Sequence, residues 1–290
     1  MFNKNHIIQY LQARHLSDGG YFFARVTPSS ALDTMCAVET LKLLNSKQIP
    51  ISEIMRFFKN EDKEGNLKCI SSLFFAVQTY KALKIDISEF KKYSPFILEN
   101  TTNKNIFKKK KFKAKAETKF LLSDNSVNTL YLDLVEGEVK DLYYLTFLCK
   151  NFNINEANQN IIDFILSLEN TDGGFGNIKG SELSTTYYAL KILKKLNYPL
   201  VKLKKTINFL KRQIERANYL EEYFWAVESF ILLKISIPRQ SSLLSFLIAC
   251  QKGNGGFARS QFIGIANIEQ TYQAVTILKH LEKYDLPLFE

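Results

Sequence analysis

The sequence predicts an all-α fold built from six helix-pair repeats, and three observations carry the prediction. A twelve-residue frame occurs three times, as YLQARHLSDGGY (10–21), FILSLENTDGGF (164–175) and FLIACQKGNGGF (246–257). Each copy leads into a segment of helical periodicity: ALDTMCAVETLKLL (31–44), LSTTYYALKILKKL (183–196) and IEQTYQAVTILKHL (268–281). These segments superpose without gaps on Ala37, Ala189 and Ala274, and three further copies join them around Ala76, Leu145 and Ala226. Strand signals are scarce, and no hairpin-type alternation appears.

Each unit reads as helix, short Gly-containing turn, helix. The first helix of unit four, NEANQNIIDFILSLEN, places Ile161, Ile162, Phe164, Ile165 and Leu168 on one stripe, as a helix with one solvent face requires. Its glycine pair supplies a residue that enters the left-handed region without a Cβ penalty and so ends the helix. The second helix of each unit is apolar almost all round (TYYALKIL, LFFAVQTY, YFWAVESF), the mark of a helix contacted on several sides. A small residue at the aligned site in five of six units allows neighbouring helices to approach closely. Amphipathic helices outside and apolar helices inside make two layers, and periodicity alone fits an open solenoid or a closed ring.

Intervals between successive aligned positions are 39, 69, 44, 37 and 48 residues, so one is long by about a loop. It holds a lysine-rich insertion, about 99–122, between repeats 2 and 3; from Glu99 to Lys119 it carries eight lysines against two glutamates. The segment reads as a solvated insertion, with peripheral contact to an anionic membrane surface as the functional alternative. Phe107 and Phe112 alone interleave its lysines, too few for base stacking, and no nucleic-acid partner is expected. The remainder is a single domain spanning 1–290. Hydrophobic and charged contents of 46% and 23% belong to an ordinary globular chain. No apolar run long enough for a membrane span occurs, and MFNKNHIIQYLQ is periodic with no signal core. Cys36, Cys69, Cys149 and Cys250 form no CxxC pair and are expected as buried free thiols, which points to the cytoplasm.

The aligned starts of the inner helices carry Asp33, Ser72, Asp141, Thr185, Glu222 and Gln270. All are polar. They read as a ring of hydrogen-bonding groups at a cavity mouth, or as residues that favour the first helical turn. Two positions later stand Phe74-Phe75, Tyr143-Tyr144, Tyr187-Tyr188, Phe224-Trp225 and Tyr272. Neighbours in a helix point about 100° apart, so at most one of each pair faces a lumen. Such rings suit a polyprenyl chain or a carbocation, or they fill the core.

The frame aromatic-aliphatic-x3-Gln-x3-Gly-x-aromatic, complete at Phe246–Phe257, resembles the repeat of terpenoid cyclases and protein prenyltransferase β subunits. Glu169 and His15 replace the Gln in the other two copies, and the six-pair organisation covers nearly the whole chain. The resemblance implies a closed (α/α)6 toroid, a double ring whose inner helices surround an apolar cavity. In that superfamily the cavity takes an isoprenoid chain with its diphosphate near one rim, and the β subunits work with an α subunit and a zinc ion.

The site residues carry across unevenly. The β-subunit motif Asp-x-Cys-Tyr falls on Ser184, Thr185, Thr186 and Tyr187, where only the tyrosine matches, and the His-Thr pair falls on Gln270-Thr271. Hydroxyls and an amide are poor zinc ligands. The three histidines His6, His15 and His280 lie away from the inner-helix starts. No cofactor is therefore predicted, with zinc and magnesium left open. The family's Arg-x-x-Lys falls on Ile178 and Ser181, so Lys179, Arg25 and Arg259, which follow the three turns, become the candidate phosphate contacts. The cyclase acid motif Asp-x-Asp-Asp is absent from the sequence, and Asp33 is the candidate catalytic acid.

The expected function is a prenyltransferase- or terpene-cyclase-like protein binding an isoprenoid diphosphate or similar apolar ligand, with an α-subunit-like partner; catalysis is left open. Its binding residues would be Arg25, Lys179, Arg259, Tyr187, Tyr272, Trp225, Asp141, Glu222 and Gln270. The alternative is a non-catalytic toroid acting as a protein-interaction scaffold.

Overall fold

The computed structural model describes residues 2–103, 125–154, 158–177, 180–283 and 288–289. Among these, twelve α-helices alternate as six pairs. The first members are α1 (Lys4–Gln12), α3 (Ile51–Lys63), α5 (Ser94–Asn103), α7 (Asn158–Leu166), α9 (Lys204–Arg216) and α11 (Gln240–Cys250). The second members are α2 (Ala31–Leu43), α4 (Ile70–Ala82), α6 (Asn125–Phe152), α8 (Leu183–Lys195), α10 (Leu220–Leu232) and α12 (Ile268–Glu282). Residues 99–103 of the expected insertion belong to α5, and 104–122 lie outside the described residues. No helix among the described residues is long and apolar enough to cross a membrane.

Burial separates the two members of a pair as their hydrophobic periodicity requires. The helix α3 buries Ile54, Phe57 and Phe58, and α9 buries Thr206, Phe209, Leu210 and Ile214, one stripe at three- and four-residue steps. By contrast α2 buries every residue from Asp33 to Val38, and α4 every residue from Leu73 to Val77. The aligned alanines Ala37, Ala76, Ala189, Ala226 and Ala274 are all 0% exposed and Leu145 is 1% exposed, which fixes the register of the repeat. Buried threonines in these helices satisfy themselves locally: Thr40 Oγ1 donates to Cys36 O at 2.6 Å, and Thr79 Oγ1 to Phe75 O at 2.7 Å.

The ends of these helices repeat too. Asn45, Lys84, Asn153, Asn197 and Lys234 all have positive φ, and each stands eight residues after its aligned site. The following N–H closes the last turn in every case, as in Ile85 N to Tyr80 O and Ile235 N to Phe230 O, both 2.9 Å. Five helices thus stop by one device.

Two compact units result. The first comprises Met1–Phe90, Ala217–Val227 and Ile237–Glu290, within which α2 packs against both α4 and α12. The second comprises Lys91–Arg216 and Glu228–Ser236, within which α6 packs against α8 and α5.

The first glycine of each turn sits against the start of the next first-member helix. A Cβ at Gly19 would come within 2.2 Å of Glu53 O in α3, and one at Gly173 within 2.3 Å of the Lys205 carbonyl carbon in α9. Gly255, at φ +89°, makes the same contact with α1, where a Cβ would meet His6 O at 2.4 Å. The last repeat therefore packs on the first as on its successor. Phe2 N donates to Leu288 O at 2.8 Å beside this junction.

Two expectations need correction. A short hairpin exists, β1 (Phe175–Asn177) antiparallel to β2 (Gly180–Glu182), because the strand leaving the Gly-Gly-aromatic turn runs back along the segment that enters α8. In the other copies the same pairing shrinks to the single bridges Tyr21↔Ser30 and Phe257↔Asn267, too short to leave an alternating pattern. Among the thiols, Cys36, Cys149 and Cys250 are buried, but Cys69 is exposed at the N-cap of α4, where the chain has not yet entered the core.

Candidate functional site

The Gly-Gly-aromatic turns position the starts of α2, α8 and α12, and polar side chains of the frame bond to the turn backbone. Gln251 Nε2 donates to Gly255 O at 3.3 Å, and His15 Nε2 stands 3.3 Å from Gly19 O. Asp18, Asp172 and Asn254 each accept from the N–H two residues on, at 3.2, 3.0 and 3.1 Å, forming Asx turns. The aromatic is then tied to the following helix. Tyr21 N donates to Thr34 Oγ1 at 2.9 Å, Phe175 N to Thr186 Oγ1 at 2.9 Å and Phe257 N to Thr271 Oγ1 at 3.1 Å. This threonine is the anchor that the sequence reading overlooked. Its signal was present: Thr34, Thr186 and Thr271 occupy one aligned place, three residues before the aligned alanine.

In the first unit Asp33 and Gln270 hold equivalent places. Asp33 N donates to Ser30 Oγ at 3.2 Å and Gln270 N to Asn267 Oδ1 at 2.8 Å, so both follow a capping residue by three. Asp33 is buried, and its Oδ2 accepts from Phe23 N at 3.1 Å. Burial pushes its carboxyl up to about 6; the Phe23 bond opposes the rise, and the charge of Glu269, in the first turn of α12, adds to it. Glu222 has a structural role, because its Oε2 accepts from Asn218 N at 2.7 Å and Tyr219 N at 3.0 Å and so satisfies donors at the start of α10.

The cations divide. Arg259 Nε pairs with Glu221 Oε1 at 2.5 Å, and its guanidinium lies 4.1 Å over the Tyr219 ring. Arg25 is exposed at φ +60° on the loop before α2. Lys179 lies outside the described residues, as does Ile178. A further cation went unread in the sequence. Arg14 is buried where the other frames have Leu168 and Cys250, donates from Nη1 to Tyr10 O at 3.0 Å and stacks 3.6 Å over the Tyr10 ring. Burial lowers its pKa, and the nearby Arg25 lowers it further.

The aromatics occupy the faces of the even-numbered helices. In the first unit Phe224 is buried and its ring lies 5.9 Å from that of Tyr272; Tyr272 and Trp225 are half-buried. In the second unit Tyr187 is buried, its ring 4.9 Å from that of half-buried Tyr188, which in turn lies 5.8 Å from Tyr143. Lys191 Nζ donates to Tyr187 Oη at 3.0 Å and lies 4.9 Å from the Tyr143 ring centroid. Burial drives the Tyr187 hydroxyl well above its ordinary pKa, with the charge of Glu228 adding to it. Asp141, half-buried at the aligned place in α6, also belongs to the second unit.

Four of these otherwise buried helices each keep a polar residue at one aligned place. Glu39, Gln78, Lys191 and Glu228 stand two residues after their aligned alanines and stay partly exposed. In the first unit Gln78 Nε2 donates to Glu39 Oε1 at 2.9 Å. Tyr188 with Lys191, and Trp225 with Glu228, lie one helical turn apart, so each of these helices presents an aromatic and a charge on one face.

The prenyltransferase alpha-alpha toroid domain matches this chain in three overlapping stretches, residues 1–111, 53–220 and 213–287. The chain belongs to that family. Its fold is accordingly an all-α toroid. No curated protein matches the chain. Solved structures that match include Candida albicans protein geranylgeranyltransferase-I complexed with GGPP, which is 17% identical. The match covers 86% of this chain and 83% of that one with a TM-score of 0.57, a likeness of fold.

Proposed function

We propose that this prenyltransferase-family toroid binds an isoprenoid diphosphate or a similar ligand with an apolar chain and a charged head, acting as one domain and without zinc. The observation that carries the reading is the pairing of a half-buried aromatic with a cation on one face of α8, Tyr188 with Lys191. In the second unit half-buried Tyr188 offers a ring face to an apolar chain, and Lys191, one helical turn on, is a cation for the head group; in the first unit, taken by itself, half-buried Trp225 and Tyr272 offer ring faces. In the first unit Arg25, on the loop before α2, is a cation for phosphate, and Asp33 is the carboxyl group poised to exchange a proton near neutral pH. The relation to a geranylgeranyltransferase-I complexed with GGPP supports the ligand class.

Zinc does not fit the positions to which the resemblance assigns it. The ligand places Asp, Cys and His fall on Ser184, Thr186 and Gln270, two hydroxyls and an amide. Thr186 Oγ1 already accepts from Phe175 N and donates to Glu182 O at 2.7 Å. That hydroxyl builds the turn, and none of the three places supplies an anionic ligand. That engagement also favours the second reading, a non-catalytic toroid that serves as a scaffold for an α-subunit-like or other protein partner.

Thermal denaturation with farnesyl and geranylgeranyl diphosphate, with and without magnesium, separates the two. A ligand at a hundredfold excess over its Kd stabilises by about 2.7 kcal/mol. Pyrophosphate alone should produce a smaller shift than either isoprenoid. No shift with either isoprenoid at high excess leaves the scaffold.

A further inference from the structure

The loop joining α11 to α12 (258–267) holds apolar side chains out of the protein. Phe262 is 88% exposed, Ile263 55% and Ile265 72%, while the flanking Ala258 and Ala266 are buried. The tip is bonded to itself and to its base. Ile263 N donates to Ser260 Oγ at 3.0 Å, Lys252 Nζ to Gln261 O at 3.1 Å and Leu220 N to Arg259 O at 2.8 Å. The chain turns at Gly264 with φ +94°. This backbone is ordered before any partner arrives, so the apolar side chains are presented with little further entropy to lose.

A second loop, 22–29 between α1 and α2, exposes Val26 at 58% and Phe23 at 38%. Both loops follow equivalent Gly-Gly-aromatic turns and lead into the equivalent helices α2 and α12, which pack on each other within the first unit. They therefore emerge at one end of that unit. Neither 19–32 nor 251–268 contains an acidic residue, whereas Arg25 and Lys252 lie on them, together with Arg259, whose charge Glu221 offsets. Five side chains of this size expose roughly a few hundred Å2, short of the ~800 Å2 per partner of a stable protein interface. Protruding apolar tips with cations at their base, within a chain of net charge +10, match the chemistry of an anionic lipid surface.

We propose that this edge of the first unit docks on anionic membranes, with Phe262, Ile263 and Ile265 entering the interfacial region and Val26 and Phe23 extending the contact. Arg25 and Lys252 face the headgroups. The inference is independent of the isoprenoid reading, because the docking needs no ligand.

Flotation of the full chain with phosphatidylcholine vesicles, with and without about 30% phosphatidylserine, tests the proposal. The wild-type chain should float with the anionic vesicles and lose affinity in about 0.5 M salt. Phe262→Ser and Ile265→Ser should each weaken partitioning about tenfold at unchanged helical content, since each withdraws one large apolar group from the interface. Two results would overturn the proposal: no flotation of the wild-type chain, or a double variant that floats as well as wild type. Loss of a self-associated species in the variants, seen by light scattering with no vesicle binding, would assign the edge to a second copy instead.

Discussion

Replacing Thr271 by Val removes one oxygen at nearly constant volume, and the structure sets what that oxygen is worth. Phe257 is 0% exposed, and its N–H has Thr271 Oγ1, at 3.1 Å, as its acceptor. Without that acceptor the donor stays buried and unpaired, at a cost of about 1–3 kcal/mol. The other bond of the hydroxyl matters less. Asn267 O, which accepts from it at 2.6 Å, still accepts from Thr271 N at 3.1 Å after the change. A loss of about 2 kcal/mol is therefore expected, about a thirtyfold shift in the unfolding equilibrium. Thr276→Val is the control, because Thr276 Oγ1 only donates to Tyr272 O within its own helix, and its removal should cost about 0.5 kcal/mol or less. Urea denaturation followed by circular dichroism reads both, with an unchanged m value expected. If Thr271→Val lies within about 0.5 kcal/mol of wild type, or matches the control, the threonine is no anchor and the account of the turn is wrong.

Two further changes probe the same framework. Burial holds the Asp33 proton more tightly in the folded chain, raising its pKa from 3.8 to about 6. The stability this group contributes is complete below about pH 4 and is lost as pH rises through about 6, about 3 kcal/mol in all. Asp33→Asn keeps an acceptor for Phe23 N and should gain about 2 kcal/mol on wild type between about pH 4.5 and 7.5; parallel stability curves would remove the buried carboxyl from the account. Glu169→Gln restores the donor that Gln251 Nε2 offers to Gly255 O, here toward Gly173 O, and should stabilise by about 0.5–1 kcal/mol. A lower melting temperature for this variant would show that the carboxylate already has a better use.

The repeat was legible because its causes are local. Hydrophobic period, the glycine pair and the small residue at Ala37, Ala189 and Ala274 act within a few turns of chain, so aligning the segments located every second helix of the six pairs. The same locality misled at β1 and β2, where three-residue strands leave no alternating pattern to read. Helix-start residues were legible as polar, but their separate roles were not. Glu222 satisfies the N–H groups before α10, while Asp33 binds the loop ahead of it. The aligned polar residues Glu39, Gln78, Lys191 and Glu228 were within reach of the alignment, but the apolar character of the surrounding helices hid them.

Helix, turn and register came from the order of residues alone, since each unit satisfies most of its backbone within itself. Three-dimensional packing was needed for the rest. It brought Gly255 against His6, lifted the Asp33 carboxyl through burial and the charge of Glu269, and paired Arg259 with Glu221. Each of these depends on neighbours contributed by another helix or by the opposite end of the chain. Dielectric and hydrogen-bond partner are properties of the folded surroundings, and a linear pattern does not contain them.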